Sequence, residues 1–139
     1  MPMKDNWSFK KYLPPNSDER WLFRKNLAPA ISPKNPGYNF IAYLTFHYHP
    51  TGENGLPTDE EAQVFAEFEN TFLETFEKDG LSVFVAVVTK SGIKDFLFYT
   101  RDPHIFLKTA EQFRNIYPEF LITCELSPDP LWDQYKDFP

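Results

Sequence analysis

His47 and His49 stand one residue apart in the run NFIAYLTFHYH at 39–49. On an extended strand, residues two apart point the same way and lie about 7 Å from one another. Two imidazoles so placed can share a zinc ion if a third ligand reaches them, and Glu53 and His104 are the candidates. Such a centre would support metal-dependent hydrolysis. The chain carries no Cys-x-x-Cys pair and no His-Glu-x-x-His helix to strengthen that reading. The plain alternative is two exposed or half-packed histidines, and no metal is expected.

Paired carboxylates occur at Glu60/Glu61, Asp129/Asp133 and Glu74/Asp79. The first two fall where a helix or turn begins, and capping and the helix dipole account for acidic residues there. A general acid needs burial or a like-charged neighbour, which spacing alone does not supply. Cys124 shares a strand face with Phe120, Ile122 and Leu126, the setting of a core thiol. GENG (52–55) and KSGIK (90–94) are glycine turns without the Lys-Ser/Thr of a phosphate loop. Phe96 and Phe98 alternate as base-stacking aromatics do, but their face is expected to meet helices. No catalytic residue and no cofactor are assigned.

The elements that must position these groups are marked by pattern. WSFKKYL (7–13) and RWLFRKNL (20–27), joined by a turn composition, predict a hairpin, and the proline-rich run at 28–37 predicts a surface crossing. In the strand at 39–49, Phe40, Ala42, Leu44, Phe46 and Tyr48 face the core while Ile41, Tyr43, Thr45, His47 and His49 face away. Thr58 and Glu61 have capping-box spacing, and Ala62, Phe65, Phe68, Phe72 and Phe76 form the apolar stripe of the helix they open. That helix ends near Asp79-Gly80. Strands at 82–90 and 94–101 make a second hairpin, Asp102-Pro103 starts a helix with Phe106, Ala110, Phe113 and Tyr117 inward, and 119–126 is the last strand.

This order predicts an α+β, ferredoxin-like βαββαβ antiparallel sheet with both helices on one face, plus an N-terminal β-hairpin. One domain is expected over 1–139, with hairpin and crossing at 1–36, the body at 37–126 and an aromatic tail at 127–139. The opposite sheet face would carry Ile41, Tyr43, Val83 or Phe84, Leu97, Tyr99 and Leu121, too apolar a surface to leave in water. Trp132, Tyr135 and Phe138 of the tail SPDPLWDQYKDFP are the expected lid, with Asp129 capping a short turn; a partner-binding anchor is the alternative.

The net charge of −6 divides into +4 over residues 1–36 and −10 over the rest, which argues against phosphate-neutralising nucleic-acid binding. No stretch approaches a membrane span, no signal peptide opens the chain, and a lone cysteine suits a reducing compartment. A cytoplasmic location follows as the expectation.

Four segments, Trp7-x-Phe9, NGLPTDEEA (54–62), KDFLFYTRDP (94–103) and DPLWDQYKDF (129–138), together resemble a bacterial family catalogued as domain of unknown function number 695. The resemblance covers almost the whole chain, although Phe9-Lys10 stands where that family commonly has an aromatic pair. It implies no established activity, cofactor or catalytic residue. The implied fold is akin to that of the ribonuclease E inhibitor proteins of the B type, which act by binding protein.

Three functions follow as expectations. The leading one is a non-catalytic protein–protein interaction or regulatory module. Asp59, Glu60, Glu67, Glu74 and Glu77 would dock a basic protein, with Trp132 and Tyr135 as further contacts. The others are a domain binding a small apolar ligand between sheet and lid, and a metal-dependent hydrolase using His47 and His49.

Overall fold

The computed structural model describes residues 6–27, 29, 37–51 and 53–139. The predicted crossing at 28–37 therefore lies outside the described residues except for Pro29 and Gly37. Among the described residues, six strands, β1 (Trp7–Tyr12), β2 (Trp21–Asn26), β3 (Phe40–His47), β4 (Ser82–Lys90), β5 (Ile93–Thr100) and β6 (Leu121–Pro128), form one antiparallel sheet. Their spatial order is β1-β2-β4-β5-β3-β6. Among the described residues, three α-helices complete the α+β fold: α1 (Asp59–Glu77), α2 (Pro103–Ile116) and the short α3 (Asp133–Asp137).

Each long helix starts where local chemistry directs. Thr58 accepts from the Glu61 amide at 3.2 Å while the Glu61 carboxylate accepts from the Thr58 amide at 2.9 Å, so the capping box is complete. Asp102 caps α2 by accepting from the His104 and Ile105 amides, with Pro103 at the first helical position. Asp79 and Gly80, both at positive φ, turn the chain from α1 into β4.

α1 and α2 lie on the same side of the sheet. Phe65, Phe68, Phe76, Phe106 and Phe113 pack with Leu44, Phe46, Phe84, Phe96, Phe98 and Ile122 in one core. Two details of the α1 stripe differ from expectation. Ala62 is exposed, and Leu73 is buried. The two are about three turns apart on the same side of the helix. Leu73 closes against the core, whereas Ala62 overhangs a cleft described below.

The hairpin extends the sheet beside β4. β2 pairs with β4, so β4 is an interior strand and the sheet's edges are β1 and β6. That is why β4 could afford apolar residues on both faces, Ser82 to Thr89 all being buried. A register shift between Phe84 and Ala86 lets Val83, Val85, Ala86 and Val88 face one side while Phe84 and Val87 face the other.

The second sheet face has its own core of Ile41, Val83, Val85, Leu97, Tyr99 and Trp132, with Phe23, Tyr43, Tyr135 and Phe138 around it. The tail crosses this face. Leu121, expected beneath it, lies beyond the cover and is 66% exposed.

Candidate functional site

The acidic residues singled out from the sequence sit on the outside of α1. Asp59, Glu60, Glu67, Glu74 and Glu77 are all exposed. Glu60, Glu67 and Glu74 recur every seven residues, two helical turns, and so make one carboxylate row about 21 Å long. The underside of the same helix is pinned by Phe65, Phe68 and Phe76, so the row is carried on a fixed support. Glu77 also accepts from the Phe84 amide at 3.4 Å, tying the helix end to β4.

The tail residues turn the other way. Trp132 is 1% exposed, and its indole donates to the Tyr38 carbonyl at 2.9 Å. Asp129 is buried and receives three donors: the Tyr99 hydroxyl at 2.6 Å and the Asp133 and Gln134 amides at 3.0 Å each. Burial and this carboxylate raise the Tyr99 pKa far above its ordinary value, fixing the phenol as a donor. Tyr135 is half-buried; its hydroxyl donates to the Asn26 carbonyl, and Lys25 lies 4.6 Å over its ring. Lys25 in turn donates to the Phe138 carbonyl at 3.0 Å, joining tail to hairpin. Of the Asp129/Asp133 pair, Asp129 is thus the turn cap and Asp133 supplies a capped amide.

The histidines do not form one unit on a strand. β3 ends at His47, whose Nε2 lies 3.0 Å from the Thr123 hydroxyl; His49 is exposed in the loop beyond. Both border a groove of about 240 Å³ with Glu61 and Glu119, but Glu61 is engaged in the α1 cap. His104 is exposed at the start of α2, and the Glu53 side chain lies outside the described residues. Among the described residues, no three His, Cys, Asp or Glu side chains gather closely enough to hold a metal. Glu60 and Glu61 divide between surface and cap, and Glu74 and Asp79 are both exposed.

Cys124 is half-buried against the helix-side core, and burial pushes its thiol up to about 11. Phe96 and Phe98 are fully buried in that core. Asp95, on the opposite face of β5, accepts from the Thr45 hydroxyl, and burial raises its pKa.

One arrangement escaped sequence reading altogether. Leu22, Thr89 and Lys94 pair in a row across β2, β4 and β5, on the helix side of the sheet. Above them α1 presents Ala62, Ala66 and Glu69, leaving a cleft of about 410 Å³. Lys94 donates to the Thr89 hydroxyl at 2.8 Å, while Glu69 is held by the two terminal guanidinium nitrogens of Arg24. Burial, with Arg24 nearby, pushes the Lys94 amine down to about 8. The available signal was the face alternation Lys94, Phe96, Phe98 together with small residues at 62 and 66. It points to a cavity only once helix and strand are known to face each other.

Among the described residues no helix is long and apolar enough to cross a membrane. No curated protein and no solved structure matches the chain. The model of the family of unknown function DUF695 matches residues 5–138, and the chain belongs to that family.

Proposed function

We propose that this protein is a non-catalytic module that docks a basic protein partner along the outer face of α1. The observation that carries the reading is the row Glu60, Glu67 and Glu74, exposed at seven-residue spacing on a helix anchored from below. Asp59 and Glu77 extend the negative surface at its two ends. Fixed carboxylates in a line attract a basic surface over a distance and set its orientation, which raises encounter rates more than final affinity. Trp132 and Tyr135 hold the tail against the second sheet face, away from this docking surface.

The same reading takes β3-α1-β4-β5-α2-β6 as a ferredoxin-like βαββαβ body. The order β4-β5-β3-β6 and the shared helix side support it. By fold analogy the ribonuclease E inhibitor proteins of the B type, which bind protein, offer a parallel. A bacterial cytoplasm suits the single half-buried thiol at Cys124.

The test is capture of partners from native cell extract by the wild type and by a Glu60→Lys, Glu67→Lys, Glu74→Lys triple variant, at low and at high salt. The expected result is a basic protein retained at low salt, released by salt and lost with the triple variant. Retention of the same protein by the reversed helix, or no specific capture, defeats the proposal.

A further inference from the structure

The cleft under the first half of α1 is a place where the aromatic core stops and polar chemistry begins. On β5 the residues facing the helices run Phe98, Phe96 and then Lys94; on β4 they run Val87 and then Thr89. Opposite them, Ala62 and Ala66 are too short to fill the space. The walls are apolar, from Leu22, Leu56, Pro57 and Phe65.

Among the described residues, charge inside this cleft is unbalanced. Arg24 from β2 and Lys94 from β5 supply two cations, and Glu69 from α1 supplies one carboxylate. Both Glu69 oxygens already receive Arg24. An ammonium has three donors, and the Lys94 amine makes its hydrogen bond to a neutral hydroxyl, that of Thr89. A cation so placed, beside apolar walls, attracts an anion more strongly than one in open water does.

We infer that this cleft binds a small amphipathic carboxylate, its head received by Lys94 beside Arg24 and its apolar body lying against Leu22, Leu56 and Phe65. A monoanion matches the single excess positive charge; a dianionic phosphate would overfill it. A cleft of about 410 Å³ falls within the size range of small-ligand sites. Because burial, and after it Arg24, push the Lys94 amine down to about 8 while Glu69 raises it, carboxylate affinity falls as pH rises past that value. The site is separate from the carboxylate row on the outer face of α1, so it stands or falls independently of partner docking.

The probe is octanoate, titrated calorimetrically into the full chain, with octanol and octylamine as neutral and cationic counterparts. The expected result is saturable binding of one octanoate per chain, weakened roughly tenfold or more for octanol and octylamine. Lys94→Met reduces octanoate affinity by a similar factor, and Ala66→Phe, at an exposed helix position, blocks the cleft while leaving Lys94 in place. Circular dichroism melts of both variants establish that they are folded, and either folded variant suffices for the comparison. Absence of saturable octanoate binding to the wild type, equal binding of octanol, or undiminished octanoate binding by a folded variant overturns the assignment.

Discussion

The Trp132 indole lies flat on the Tyr99 ring, centroids 4.1 Å apart and planes within 10°. This stack sits in the second core and joins the tail to the strand that runs through the middle of the sheet. Trp132 holds it from a left-handed backbone position, φ 57°, a conformation that a bulky residue adopts at a cost. Burial of the whole indole and its bond to Tyr38 offset that cost. Trp132→Ala should therefore lower stability by about 3–5 kcal/mol, the range for deleting a buried large aromatic. A urea melt gives the value, and an unchanged midpoint would show that the lid contributes nothing.

Tyr99 and Asp129 act as one unit beneath that stack. The phenol donates to the carboxylate, which at the same time caps the turn into α3. A double-mutant cycle with Tyr99→Phe and Asp129→Ala should yield a coupling on the order of 1–3 kcal/mol, as for contacting members of a buried network. Additive losses would mean that the two hold the tail separately.

Lys94 sets a pH dependence whose sign is fixed. Its folded value of about 8 lies below the ordinary 10.5. Between these limits the unfolded chain binds more protons, so this group adds stability as pH rises from about 8 to 10.5 and withholds it at lower pH. Urea midpoints of wild type minus Lys94→Met across that window should climb. A flat difference would show that the amine is fully solvated.

Tyr117 is buried, and its hydroxyl is the buried side-chain polar atom without a hydrogen-bond partner among the described residues. Its ring packs with Phe46, Phe68 and Phe72. Tyr117→Phe keeps those ring contacts and removes the orphan group, so stability should stay level or rise by up to about 1–3 kcal/mol. A loss of stability on thermal denaturation would reveal a partner for the hydroxyl.

The Cys124 thiol, pushed up to about 11, should react with a disulfide reagent near neutral pH much more slowly than a free cysteine. Reaction at the free-cysteine rate would place the sulfur in solvent.

Much of the fold was legible because its signals are local. The Thr58/Glu61 box, the Asp102-Pro103 start and the alternation in β3 each depend on a few neighbouring residues. The pairing of β2 with β4 is not local: the apolar run of β4 says that both faces are covered, not which strand lies beside it. The shift at Phe84/Ala86 has no turn residue to announce it. The acidic row of α1 could be read from spacing. The cleft could not, since Lys94 and Ala66 become neighbours only through tertiary packing.

The tail that covers the second sheet face follows the six described strands in the sequence, so that face is complete only when the tail docks. Until Trp132, Tyr135 and Phe138 dock, Ile41, Val83, Leu97 and Tyr99 stand on an uncovered sheet face. A chain whose tail is undocked therefore has a bare apolar side, the kind of surface that chaperones hold and that aggregates when they do not.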